Sequence, residues 1–138
     1  MYKREKKEFG LRLTFGGIIS GEEMYRWLSD MSRELTSVRD DFCVFVDMRT
    51  LAPLGKKGQV HIQDGQKLAK RCGMVRSVVI LNSPVTTMQF KHIAMDTGIY
   101  EWERYIDASK DRDWEQTGMD WIEKAIDPDK KEKAQTVA

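Results

Sequence analysis

The chain has little of what a metal or redox site requires. Among its 138 residues there are only two histidines and two cysteines. His61 and His92 lie far apart in the sequence, and neither has a cysteine at the spacing that zinc sites use. We therefore expect no metal and no other cofactor. Cys43 lies within an apolar run, where burial would make its thiol unreactive, and we expect it and Cys72 to remain unlinked.

The chain also lacks an excess of charge of either sign and any long apolar run. Its 23 basic and 22 acidic side chains give a net charge of +1, which argues against binding to a nucleic-acid backbone. No stretch approaches the ~18 apolar residues of a membrane span, and residues 1–8 lack the apolar core of a signal peptide. We therefore expect a cytoplasmic protein with no nucleic-acid partner and no membrane insertion.

Motifs that name a reaction are missing as well. There is no nucleophile elbow of the Gly-x-Ser-x-Gly type. The glycine-rich, basic stretch 55–58 lacks the spacing of a phosphate-binding loop, and we interpret it as a solvated loop. Sequence spacing supports no acid–base pair. We therefore expect a protein that is not an enzyme.

The chain does contain a strong signal for a buried strand. Residues 42–48 hold five apolar or aromatic residues in succession before Asp47, which is typical of a central strand buried on both faces. Residues 75–81 form a second, β-branched run of this kind. Residues 9–15 alternate with period two, as in a strand with one buried face, and 102–106 predict a shorter strand. Residues 18–19 are a candidate for a short returning strand.

Helices are predicted between these strands. Ser20 with Glu23 forms a capping box before a helical stripe of apolar residues that runs from Met24 to Val38. A second helix is predicted over residues 59–72, although Gly65 weakens it. Ser83 and Pro84 predict the start of a third helix that ends near Gly98. Asp113 with Gln116 resembles a further capping box, before a last helix that Pro128 ends.

Strands that alternate with helices predict an α/β protein. We expect a mixed, largely parallel sheet of four to five strands with helices on both faces, and a first strand that is antiparallel at its side. Residues 1–8 are predicted to be a charged lead-in that is mobile or at most an edge strand, 9–127 a single domain, and 128–138 a polar, disordered tail.

One set of polar residues follows the predicted strands at their carboxyl ends. In a parallel sheet these ends share one edge, where partners and ligands usually bind. Arg49 is expected there as a surface charge. The alternative is that these residues only cap a helix or hold a loop. The candidate binding residues are Asp47, Arg49, Thr50, Asn82 and Ser83.

Short stretches of this sequence resemble a known family. Residues 17–23, 44–49, 78–81 and 114–122 are similar to the SpoIIAA-like branch of the STAS fold, which includes anti-sigma-factor antagonists. The resemblance covers about residues 9–127. It implies a four- to five-stranded sheet with flanking helices that acts through protein contacts and has no catalysis of its own.

The chain departs from that family at one motif. Antagonists of the family carry a phosphorylated serine after the strand that matches residues 44–48, whereas residues 50–58 contain no serine. We therefore do not expect the phosphorylation switch. The leading hypothesis is a regulatory module that docks a protein partner, with a homodimer as one form of it. The alternative is a carrier of a small apolar ligand or lipid, held between the sheet and the helix of Trp27 or of residues 90–93.

Overall fold

Five strands form one mixed sheet in the computed structural model, which describes residues 1–36 and 40–130. The strands lie side by side in chain order. They are β1 (Tyr2–Lys7), β2 (Gly10–Gly17), β3 (Phe42–Leu51), β4 (Met74–Leu81) and β5 (Glu103–Asp107). The α-helices are α1 (Gly21–Glu34), α2 (Lys56–Arg71), α3 (Pro84–Thr97) and α4 (Trp114–Lys124), and a short 3₁₀ helix spans Ile99–Glu101.

The order of the strands decides which face each helix covers. β2, β3, β4 and β5 are mutually parallel, and only β1 runs antiparallel to its neighbour. Because each parallel strand lies beside the one before it and such crossovers are right-handed, the three connecting helices fall on the same face. Only α4, which follows the last strand, covers the other face. The α/β class with helices on both faces, predicted from the sequence, is confirmed.

The β3 strand is the centre of both core layers. Residues 42–48 are all buried, and alternate side chains enter opposite layers. Val44 and Val46 belong to the larger layer beneath α1, α2 and α3, whereas Phe45 packs beneath α4. This agrees with the expectation from the uninterrupted apolar run.

Close packing of α1 on α2 depends on a glycine. A Cβ atom at Gly65 would lie 2.3 Å from Cη2 of Trp27, so the indole ring rests directly on the backbone of α2. The same glycine weakened the prediction of this helix from sequence. Its lack of a side chain therefore lowers helix propensity but allows the interhelical contact.

Two predictions near the amino terminus need correction. The antiparallel strand is β1, within the segment interpreted as a lead-in, and Gly10–Gly17 itself runs parallel to β3. Ile18 is 87% exposed and Ile19 leads directly to the Ser20 cap, so neither forms a returning strand. β1 is held as an edge strand by main-chain pairing with β2 along its whole length. Main-chain pairing requires no apolar pattern, so the sequence did not reveal this strand.

The segment between β3 and α2 is shorter than predicted. β3 continues to Leu51 because its end pairs with Gly16 and Gly17 of β2, a contact that the local sequence does not encode. α2 begins at Lys56, with Gly55 as an N-cap that makes no side-chain hydrogen bond. The basic stretch 55–58 is therefore the start of a helix and not a loop.

The cap of α4 also differs from the prediction. Asp113 occupies the N-cap position but its side chain makes no cap hydrogen bond, so there is no capping box. Asp111 instead joins the turn before α4 to the helix. It accepts hydrogen bonds from the Asp113 amide at 2.8 Å and from the Thr117 hydroxyl at 2.8 Å.

A buried arginine fastens the segment after α4 to the sheet. The Arg104 guanidinium binds both carboxylate oxygens of Asp127, at 3.0 and 3.2 Å, and stacks on the ring of Trp121. Asp129 accepts hydrogen bonds from Lys91 and Tyr100. The start of the predicted disordered tail is therefore held in place. The remainder of the tail, 131–138, and Val38 of the predicted α1 stripe lie outside the described residues.

Replacement of Val46 by aspartate should abolish the fold. The side chain is 7% exposed, so an unpaired carboxylate there would cost several kcal/mol, comparable to the whole stability of a small domain. Thermal melting by circular dichroism should show no cooperative transition. Val60→Asp is the matched control, because Val60 is 52% exposed and that variant should melt as the wild type does. A cooperative, soluble Val46→Asp protein would contradict the assigned burial of β3.

Candidate functional site

A cleft of about 350 Å³ opens at the carboxyl edge of the sheet. It lies where β3 and β4 end and where α3 begins, as expected for a parallel sheet. Apolar side chains form much of its lining, and Arg49 is the one lining residue with a formal charge. The lining includes Arg49, Leu54, Asn82, Ser83, Gln89 and Phe90.

Asp47 and Arg49 form a paired unit at this edge. The guanidinium donates from Nε to Oδ1 and from Nη2 to Oδ2 of Asp47, each at 3.0 Å. It also stacks at 4.0 Å over the ring of Trp114 at the start of α4. The Asp47 side chain is 9% exposed and that of Arg49 40%. Arg49 is therefore not the free surface charge that the sequence suggested, because it compensates a nearly buried carboxylate.

The other predicted site residues have different positions. Asn82 and Ser83 border the cleft beside Arg49. Ser83 caps α3, since its hydroxyl oxygen accepts a hydrogen bond from the Thr86 amide at 3.3 Å. Thr50 is exposed beside Gly16 of β2 and does not line the cleft. The structure therefore brings Arg49, Asn82 and Ser83 together, with Asp47 bound to Arg49 and Thr50 set apart.

The helix next to the cleft carries an exposed apolar surface. Val85 is 66%, Met88 53% and Met95 54% exposed on α3. On the inner side of the same helix, Thr87 and Ala94 are buried against the core. The cleft and the outer surface of α3 therefore adjoin each other and both expose apolar side chains.

A second unusual feature is a glutamate in the core. Glu103 at the start of β5 is fully buried and accepts hydrogen bonds from Gln66 at 2.5 Å, from Ser77 at 2.7 Å and from the Tyr105 hydroxyl. All three partners are neutral. Burial therefore raises the pKa of Glu103 to about 6, although the three hydrogen bonds favour the ionised form.

Two small spaces adjoin the Glu103 network, one beneath α1 and α2 and one between α2 and α3, and each measures about 30 Å³. That is close to the volume of one water molecule in the liquid, about 30 Å³. Sites for small molecules usually measure about 300–1,000 Å³.

The structure also bears on metal ligands, on the two cysteines and on membrane spans. Within residues 1–36 and 40–130, no group of three His, Cys, Asp or Glu side chains lies close enough to share a metal ion. Cys43 and Cys72 are both free, and burial raises the pKa of the Cys43 thiol. No helix in the same residues is long and apolar enough to cross a bilayer.

Sequence reasoning missed both the Glu103 network and the exposed stripe of α3. Alternation along β5 places Glu103 and Tyr105 on the same side of the strand, but a glutamate in a short strand is usually exposed. Its partners Gln66 and Ser77 come from α2 and β4, so only the tertiary structure unites them. The one local signal for the stripe was that the apolar residues of α3 are not confined to a single side of the helix.

Comparison with known proteins adds no assignment. No protein-family model, curated protein or solved structure matches this chain. The resemblance to STAS-like domains therefore remains a prediction from the sequence.

Glu103→Gln should stabilise the protein at neutral pH. The ordinary pKa of the group is 4.5 and the folded value is about 6, so the native state favours the protonated form. The stability from that preference is fully present below 4.5 and is lost as the pH rises through 6. Above that range the neutral amide of the Glu103→Gln variant avoids the cost of ionising the buried Glu103 carboxyl, about 2 kcal/mol.

Melting temperatures measured across this pH range test the prediction. The advantage of Glu103→Gln over the wild type should shrink as the pH falls and vanish in acid. Glu101→Gln serves as the control, because Glu101 is exposed nearby and its replacement should add no such pH dependence. A constant difference at all pH values would show that Glu103 does not titrate as inferred.

Arg49→Gln should destabilise the protein by roughly 1–3 kcal/mol, because it leaves the carboxylate of Asp47 without its cation. The double variant Asp47→Asn with Arg49→Gln should recover part of the loss, since no unpaired charge remains. Urea unfolding of both variants measures the difference. A double variant that is less stable than Arg49→Gln would contradict the assigned role of the pair.

Proposed function

We propose that this chain is a non-enzymatic, STAS-like regulatory module that binds a protein partner at the carboxyl edge of its sheet. The observation that carries the proposal is the cleft of about 350 Å³ at that edge. Concave apolar surfaces with a few polar groups are typical of recognition sites. The mixed sheet with flanking helices agrees with the fold that the resemblance implies.

Docking of a protein is better supported than carriage of an apolar ligand. A carrier would enclose its ligand between the sheet and the helices, where the spaces measure only about 30 Å³ each. The larger cleft adjoins a shallow surface depression along α3, and Gln89 and Phe90 line both. A cleft of this size suits a side chain that projects from a partner.

The lining of the cleft indicates the chemistry of that partner. Arg49 is the one charged residue in the lining, and Asp47 and Glu115 already offset part of its charge. Asp47 binds Nε and Nη2 of Arg49, whereas Nη1 of Arg49 makes no hydrogen bond to the described residues. We therefore expect a partner segment that inserts an apolar side chain and places a carboxylate beside Arg49. Two free cysteines agree with a reducing compartment, so the proposed location is the cytoplasm.

Peptide selection tests this proposal with two variants at one position. Asn82 borders the cleft, is exposed and makes no side-chain hydrogen bond to the described residues. Peptides selected from a random library on the immobilised wild type should combine an apolar residue with an acidic one. Asn82→Asp should weaken their binding by about 3- to 10-fold through charge repulsion, whereas Asn82→Lys should preserve or strengthen it.

Isothermal titration calorimetry provides the affinities, and thermal melting of both variants provides the control for folding. A surface substitution of this kind should shift the stability by no more than ~0.5 kcal/mol. Failure to select any peptide, or equal affinity of both variants for the selected peptides, would refute the cleft as the docking site.

A further inference from the structure

The helix α3 carries apolar residues on both its inner and its outer side. Its inner side packs on the core through Thr87, Phe90 and Ala94. Its outer side exposes Val85, Met88 and Met95. Apolar residues on both sides of a helix favour burial of both sides. None of the described residues, 1–36 and 40–130, covers the outer side of α3.

The spacing of the exposed residues suits a second helix. Val85, Met88, His92 and Met95 are all exposed and follow one another at intervals of three, four and three residues. This is the spacing of the a and d positions of a coiled coil, which forms one continuous seam along a helix. We refer to these four residues as the α3 stripe.

The α3 stripe is complementary to itself when two copies run antiparallel. If the pair is centred on position 90, Val85 lies opposite Met95 of the second copy and Met88 lies opposite His92. Each member of the stripe then meets another member, and the two imidazoles do not face each other. A two-fold axis uses the same surface on both subunits and therefore requires this kind of self-complementarity.

The charges on α3 favour the same arrangement. The helix carries only two residues with a formal charge, Lys91 and Asp96, and Lys91 already pairs with Asp129 at 2.9 Å. Asp96 lies in the last turn, where the dipole of its own helix disfavours a carboxylate. In an antiparallel pair, Asp96 comes close to the first turn of the second α3, at Pro84, where the dipole favours it.

From these features we infer that the chain forms a symmetric homodimer through antiparallel pairing of the α3 stripe. The β1 edge of the sheet is a less suitable surface for self-association. Antiparallel pairing of two β1 strands about Glu5 would place Lys3 opposite Lys7 and Glu5 opposite Glu5. A single helix pair buries a small area, so the dimer is weak, with a dissociation constant in roughly the micromolar range.

Sedimentation equilibrium over a wide range of protein concentration tests the association. The wild type should pass from monomer to dimer, and Met88→Lys should weaken the dimer by at least about 10-fold, because it places a charge in an apolar seam. Ile18→Lys is the matched control, since Ile18 is 87% exposed outside α3 and its variant should associate like the wild type. A wild type that stays monomeric throughout would overturn the inference.

Disulfide trapping tests the register. Val85→Cys and Met95→Cys are made separately in a Cys72→Ser background, where the remaining Cys43 is buried. Under mild oxidation each variant alone should remain uncrosslinked, and a mixture of the two should form a heterodimer that links positions 85 and 95. In the antiparallel pair the two copies of position 85 lie about 15 Å apart along the helices, as do the two copies of position 95, which is too far for a disulfide between identical variants.

Linkage of either variant to itself would contradict the antiparallel register, and no linkage in the mixture would contradict the pairing itself. The inference does not depend on the proposed docking function, because Val85, Met88 and Met95 do not line the cleft. Peptide binding to the cleft should therefore survive in Met88→Lys even though the dimer is lost, and the two proposals can fail separately.

Discussion

Burial of β3 on both faces is the constraint on which the rest of this structure depends. A strand with apolar side chains in both directions must have a helical layer on each side. Since the parallel strands follow one another in chain order, the three crossover helices occupy one face, and only α4 is left for the other. Among the described residues, the second core layer therefore rests on α4 alone. The contact of Arg104 with Asp127 and Trp121 fixes the chain just beyond that helix.

The two buried carboxylates show two solutions to one physical problem. Asp47 lies near the edge of the sheet, where Arg49 can reach it while the guanidinium remains partly in solvent. Glu103 lies in the interior, where no cation reaches it and only neutral donors surround it. The first carboxylate is compensated by charge and the second by hydrogen bonds alone. This difference explains why burial raises the pKa of Glu103.

Local patterns in the sequence predicted most of the architecture. The apolar run of β3 and the caps Ser20 and Ser83 depend only on neighbouring residues, and the structure has all three. The errors arose where a distant partner decides the structure. β1 and the end of β3 exist because β2 pairs with them, and before α4 Asp111 binds the Asp113 amide and the Thr117 hydroxyl where a capping box was predicted. Burial of Glu103 likewise depends on residues from other elements.

The candidate site was predictable only in part for the same reason. In a parallel sheet the carboxyl ends of the strands converge at one edge. Arg49, Asn82 and Ser83 could therefore be placed together from the sequence. Whether a residue there is free depends on contacts such as the one between Arg49 and Asp47, which only the tertiary structure reveals. Single exposed apolar residues need no explanation. Three of them on one helix, at coiled-coil spacing in a chain that is 33% charged, do require one. Since Gln89 and Phe90 border the cleft while the α3 stripe faces away from the core, one helix can support two separate contacts.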